Sequence, residues 1–101
     1  MSGPSGLPER VLADIRRLAA EYGVERVVLF GSRARGTHRP KSDIDLAVHS
    51  GSSGNFAAFA ESMEDEAWTL LPLDLIDMDA PLSAGFVTEI KRDGVVLYEK
   101  V

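Results

Sequence analysis

Apolar residues along the chain follow two spacings, one typical of helices and one typical of strands. From Pro8 to Tyr22 they recur every three or four residues, which predicts a helix with one buried face that Gly23 can end. Val24–Phe30 then carries a short continuous apolar run, typical of a central strand covered on both faces. Ile44–Val48 predicts a second strand of the same kind.

The second half of the chain repeats this alternation. After the Ser/Gly stretch 50–54 and the candidate cap Asn55, a second helix is predicted from apolar residues at helical spacing: Phe56, Phe59, Ala60, Met63 and Ala67. Leu70–Ile76 predicts a third strand, which begins late or lies at a sheet edge because Pro72 has no amide donor. A third helix is predicted to follow Pro81, and Val95–Tyr98 predicts a final strand. The pattern predicts one small α/β (α+β) domain over residues 1–101, and it leaves the strand order open.

Composition excludes several classes of protein. The 101 residues contain no cysteine, so a disulfide framework, a thiolate metal site and a cysteine nucleophile are excluded. No apolar run approaches the ~20 residues that span a bilayer, and residues 1–6 lack the features of a signal peptide. We therefore expect a cytoplasmic protein without membrane contact. The net charge of -5 also argues against direct, general nucleic-acid binding, which needs an excess of positive charge.

A basic turn follows the first strand directly. Gly31-Ser32-Arg33-Ala34-Arg35-Gly36 begins with a residue whose missing Cβ allows close approach of the backbone and positive φ, and the hydroxyl of Ser32 can bond a phosphate oxygen. The segment 33–41 holds four of the eleven basic residues of this acidic chain. These features indicate an anion site, and a solvated basic turn is the alternative.

Two aspartates lie at the start of the second strand. Asp43 and Asp45 are two residues apart, so on a strand they project from one face about 6.5 Å apart, while Ile44 points to the core. Aspartate is depleted in strands, and two like charges on one face repel each other unless a cation lies between them. Carboxylate oxygens are the ligands that Mg²⁺ prefers. The pair predicts a metal site, with a wet edge strand as the alternative.

A third carboxylate would complete a two-metal site. Asp74 lies between two leucines in the third predicted strand and is the best-placed candidate. Asp77 and Asp79 are interpreted as strand-end or helix-capping residues.

The combination of Gly31-Ser32, a short basic loop and Ser42-Asp43-Ile44-Asp45-Leu46 resembles the signature of nucleotidyltransferases related to DNA polymerase beta. More narrowly, nearly the whole chain resembles the minimal nucleotidyltransferase (MNT) domains, which are antitoxin partners of HEPN-domain ribonuclease toxins. The resemblance implies a nucleotidyltransferase-type mixed sheet of about four strands flanked by three helices, with Mg²⁺ as cofactor and ATP as substrate. It also implies that Asp43, Asp45 and Asp74 are the catalytic, metal-binding acids. The implied nucleotide-binding residues are Gly31, Ser32, Arg33 and Ser42.

The same resemblance implies transfer of AMP from ATP to a hydroxyl, expected to be a tyrosine, of a HEPN-type toxin. Two other functions stay open: an antitoxin that acts by binding alone, and nucleotidyl transfer to a small molecule. Larger members of the superfamily add a helical domain that closes over the nucleotide, and since 101 residues are too few for one, we expect the missing wall to come from a partner or a second copy. His49, which follows the aspartate strand, is expected to be a polar loop residue.

Overall fold

The computed structural model describes residues 7–31, 34, 43–51, 54–66, 72–80 and 84–100. Helices and strands follow in the predicted order: α1 (Glu9–Glu21), β1 (Arg26–Phe30), β2 (Ile44–His49), α2 (Phe56–Glu66), β3 (Leu73–Asp77), α3 (Ala84–Asp93) and β4 (Val95–Glu99). The predicted positions Ala67, Leu70 and Pro81 lie outside the described residues. In the described ranges the fold is the expected mixed α/β arrangement.

The four strands form one sheet in the order β3-β2-β1-β4. β1 pairs antiparallel with both β2 and β4, whereas β2 and β3 run parallel, so the sheet is mixed. The missing amide donor of Pro72 predicted a strand that begins late or lies at an edge, and β3 does both: it begins directly after Pro72 and lies at an edge of the sheet. The sheet topology therefore places β2 between an antiparallel and a parallel neighbour.

The sheet buries a different apolar cluster on each face. On one face α1 and α2 cover the larger cluster, which includes Ile44, Leu46 and Val48 from alternate positions of β2. On the other face, the smaller cluster contains Ala47 of β2 and Ile90 of α3. Because successive side chains of a strand point to opposite faces, these two clusters define where every other β2 side chain points.

Polar contacts tie α1 to its neighbours. The hydroxyls of Tyr22 and Ser62 are hydrogen-bonded at 2.6 Å, and the side-chain amide of Asn55 donates to the Tyr22 carbonyl at 3.0 Å. Arg16 Nε donates to the carbonyl of Leu97 at 3.1 Å, which joins α1 to β4. These bonds hold the two helices on the same face of the sheet.

Two local expectations need correction or adjustment. His49 is the last residue of β2, paired with Arg26, and so is not a loop residue, because the antiparallel ladder with β1 continues one residue beyond the apolar run. Val24 and Glu25 precede β1, which begins at Arg26. Within the described ranges, no helix has the length and apolar character needed to cross a membrane.

Candidate functional site

The site is built on the face of the sheet that α3 covers. Asp45 lies between Ile44 and Leu46, which are both fully buried in the cluster under α1 and α2. Strand alternation therefore directs the Asp45 side chain to the opposite face, where Ala47 is buried against Ile90. The Asp45 side chain is partly buried.

Asp74 lies beside Asp45 on the neighbouring strand. The parallel register of β2 and β3 makes these two residues direct partners. Leu73 and Leu75, on either side of Asp74, pack against the cluster under α1 and α2, so Asp74 shares the face of Asp45. Neighbouring strands are about 4.8 Å apart, which brings the two carboxylates within reach of one ion.

The turn after β1 reaches the same place from the other side. Phe30, the last residue of β1, is the antiparallel partner of Asp45, and Gly31 follows with φ +78°. This φ lies in the left-handed region that glycine adopts without strain. The end of β1 and the beginnings of β2 and β3 thus lie side by side. This end of the three strands is called the aspartate edge below.

The other predicted site residues either lie outside the regular strands or are not described by the structure. Asp43 precedes β2 and is exposed. Ser32, Arg33 and Ser42 lie outside the described residues. The structure therefore brings together three of the predicted positions: Gly31, Asp45 and Asp74.

The oxygen chemistry of the aspartate edge fits Mg²⁺. Among the described residues, no three Asp, Glu or His side chains cluster closely enough to hold a metal ion by themselves. Mg²⁺ does not require such a cluster, because it is usually held by one or two carboxylates together with water and substrate phosphates. The paired carboxylates of Asp45 and Asp74 supply that number of protein ligands.

The other two acids considered for the third position lie elsewhere. Asp77 is the last residue of β3 and, three positions from Asp74, points to the opposite face. Its Oδ1 accepts a hydrogen bond from the backbone N–H of Asp79 at 2.9 Å. The side chains of Asp77 and Asp79 therefore belong to the far end of β3, about 10 Å along the strand from Asp74.

Asp79 has a structural role that sequence reasoning missed. Its Oδ2 accepts hydrogen bonds from the backbone N–H of Gly51 at 2.9 Å and from the hydroxyl of Ser50 at 3.0 Å. These donors, the Gly51 N–H first, lower the pKa of the Asp79 carboxyl below its ordinary value. The carboxylate thereby ties the turn after β3 to the end of β2. No local pattern could reveal this, because the donors follow β2 and lie 29 and 28 residues away in the sequence.

Two cavities in the described part of the chain lie away from the aspartates. One, of about 420 Å³, is lined by charged residues at the beginning of β1 and the end of β4, including Arg26 and Glu99, which form an ion pair at 2.9 Å. The other, of about 260 Å³, is more apolar and lies between Val28, Ile90 and Val96. Neither of these two cavities is lined by Asp45 or Asp74.

Comparison with known proteins identifies the fold. The family model described as "Polymerase beta, Nucleotidyltransferase" matches residues 13–101. A crystal structure of a toxin-antitoxin with AMP-PNP is similar with a TM-score of 0.68 and 24% identity, over 88% of this chain and 73% of that one. The toxin-antitoxin MntA-HepT is similar with a TM-score of 0.61 and 21% identity, over 89% of this chain and 71% of that one. No curated protein matches the sequence. At these identities the likeness to the solved structures shows the fold alone.

Proposed function

Because the chain belongs to the polymerase beta nucleotidyltransferase family, we propose that it transfers AMP from ATP to a tyrosine hydroxyl of a HEPN-type toxin, and so acts as an antitoxin. The observation that carries this proposal is the pairing of Asp45 with Asp74 on one face, beside the positive-φ turn at Gly31. The proposed transfer needs carboxylates next to a turn that binds phosphate, and the turn at Gly31 beside these two acids supports that assignment.

The proposal assigns the triphosphate of ATP to the turn after β1. The backbone at Gly31 and the hydroxyl of Ser32 would contact phosphate oxygens, and Arg33 would offset part of their negative charge. Ser42 would add a hydroxyl donor from the other side of the basic loop. On a protein of net charge -5, this local basic segment is where an anionic substrate is expected to bind.

Asp43, Asp45 and Asp74 are the proposed Mg²⁺ ligands. When bound, Mg²⁺ would supply positive charge next to the phosphates and so stabilise the charge that develops during transfer. Asp45 and Asp74 orient their carboxylates from rigid strands, so the separation of the two groups is set by the sheet register. The exposed Asp43 would complete the set from the residue before β2.

The proposed reaction is a displacement at the α-phosphorus of ATP. The tyrosine oxygen of the acceptor forms a bond to this phosphorus, and the bond to the oxygen that bridges the α- and β-phosphates breaks. Pyrophosphate leaves with the bonding electron pair, and AMP remains on the acceptor. The proton of the hydroxyl passes to the Asp74 carboxylate, which acts as the general base.

The partner assignment is supported by the fold. Two solved structures that share it are described as toxin-antitoxin structures, one of them with AMP-PNP. Asp74 is exposed, so an acceptor group on a second protein can approach its carboxylate directly. This exposure favours a macromolecular acceptor, since small-molecule sites usually enclose most of their ligand.

The test uses the purified chain, Mg²⁺ and the product of the neighbouring reading frame. ATP labelled at the α-phosphate is compared with ATP labelled at the γ-phosphate. We expect the partner to gain label from α-labelled ATP only, and the double variant Asp43→Asn, Asp45→Asn to lose this transfer. Asp77→Asn is the matched control, because it makes the same chemical change on the opposite face of β3.

Each other outcome has a defined meaning. Label from γ-labelled ATP would indicate phosphorylation and contradict AMP transfer. Transfer that survives in the double variant would refute the metal assignment. A double variant that still neutralises the toxin fully at stoichiometric dose would show that binding alone is sufficient for the antitoxin function.

A further inference from the structure

Gly31 has no space for a side chain. A Cβ at this position would meet Oδ2 of Asp45, and it would lie only 3.3 Å from Cγ and 3.5 Å from Cβ of the same side chain. Carbon atoms in contact are normally 3.5–4.0 Å apart. The space next to the glycine backbone is therefore filled by the Asp45 carboxylate, and this explains the need for glycine separately from its φ of +78°.

Two other glycines with positive φ differ from Gly31 in what fills the space of the missing side chain. Gly54 has nearly the same conformation, with φ +62°, and a Cβ there would have no neighbour within 4 Å. Gly51, with φ +65°, has its space filled by the carboxylate of Glu25, at the opposite end of the β1–β2 pair. Of these three left-handed glycines, only Gly31 has the space of its missing side chain filled by an aspartate of the proposed site.

We infer that Gly31 is a positioning residue for Asp45: its missing side chain leaves the space that holds this carboxylate beside Asp74. The inference deepens the proposed function, which assigned Gly31 to the triphosphate alone. A side chain at position 31 would push the Asp45 carboxylate off the turn. Because the backbone of Asp45 is fixed by pairing with Phe30 and Asp74, the adjustment must come from rotation of its side chain. That rotation would separate the two carboxylates that face one ion.

The experiment compares Gly31→Ala, Gly51→Ala and Gly54→Ala in the full chain. All three place alanine at positive φ, which costs about 1–2 kcal/mol, so we expect each to lower Tm by at least roughly 4–8 °C. Binding of Mn²⁺ alone, followed by electron paramagnetic resonance, should then separate them. We expect an affinity loss of about 10–100-fold for Gly31→Ala, the usual effect of disturbing a group that orients a metal ligand, and none for the other two.

A second readout follows the carboxylate itself without any ion. The ¹³C carboxyl resonances of labelled aspartates are recorded in ion-free protein, with Asp45 assigned by its loss in Asp45→Asn. We expect the Asp45 resonance to shift in Gly31→Ala and to stay in place in Gly51→Ala and Gly54→Ala. An unmoved Asp45 resonance in Gly31→Ala would overturn the inference, whatever the change in Mn²⁺ affinity. A wild-type protein that binds no Mn²⁺ would instead contradict the proposed function.

Discussion

Asp45 of β2 and Asp74 of β3 are direct partners in a parallel register and lie on the same face of the sheet. Like charges directly opposite each other on neighbouring strands are destabilising. The two buried clusters fix this arrangement, because a shift of either strand by one residue would move its apolar side chains to the wrong face. The fold thus holds two acids together against their repulsion, as expected of a binding site.

Asp74→Asn should therefore change stability and ligand affinity in opposite directions. Removing one of the two facing charges is expected to raise the free energy of unfolding in ion-free buffer by about 0.2–1 kcal/mol, measured by urea titration. The same change should lower the affinity for Mg²⁺-ATP about 10–100-fold, since a ligand is lost.

The control for this prediction is Asp77→Asn, on the same strand but the opposite face. It should leave the affinity for Mg²⁺-ATP at the wild-type value. An Asp74→Asn protein that binds Mg²⁺-ATP as tightly as the control would remove Asp74 from the site.

Asp79 should make stability depend on acid pH. The Gly51 N–H and the Ser50 hydroxyl hold its pKa in the folded protein below the value of about 3.9 in an unfolded chain. Below about pH 5 the unfolded state therefore binds more protons, so the stabilisation is full above that pH and is lost as the pH falls through 4 and below. Asp79→Asn should lower the urea midpoint at pH 6–7 and have progressively less effect toward pH 3. The effect is small, because the carboxylate is largely exposed.

Two further variants test the cause of this pH dependence. Ser50→Ala removes one donor to Asp79 and should reduce the dependence without abolishing it. Glu61→Gln, on the exposed side of α2, should leave it unchanged. A stability difference between wild type and Asp79→Asn that is equal at pH 3 and pH 7 would mean that the charge of Asp79 contributes nothing.

Truncating a valine in the core under α1 and α2 should lower the free energy of unfolding far more than truncating an exposed valine of β4. Val48 is fully buried, whereas Val96 is 53% exposed. Val48→Ala should reduce the free energy of unfolding by about 2–3 kcal/mol through lost burial and a residual cavity. Val96→Ala, the same chemical change, should cost less than about 0.5 kcal/mol. Equal losses in urea titrations would contradict the burial assigned to these two strands.

The elements of the fold could be predicted from the sequence because each depends on local spacing. The period of three to four residues before Gly23 predicted α1, and Pro72 predicted a strand that begins late or lies at an edge. The order of the strands could not be predicted, since the pairing of β2 with β3 joins segments about 30 residues apart through contacts that no local pattern encodes.

The candidate site could be predicted from the sequence only in part. Asp45 stood out because an acid is unusual in an apolar strand. Asp74 was preferred to Asp77 because it lies between two leucines, and the register of β3 with β2, which pairs it with Asp45, could not be read from the sequence. The position of the Asp45 carboxylate beside Gly31 and the hydrogen bonds from Ser50 and Gly51 to Asp79 are tertiary, so no local pattern indicates them.

The central claim is that Asp45 helps bind a metal–nucleotide complex at the aspartate edge. Isothermal titration calorimetry of ATP, with and without Mg²⁺, tests it most directly in the wild-type protein, Asp45→Asn and the control Asp77→Asn. We expect ATP uptake that requires Mg²⁺ in the wild type and in Asp77→Asn, and a loss of affinity of about 10–100-fold in Asp45→Asn. Uptake that is independent of Mg²⁺, or equal in all three proteins, would contradict the claim.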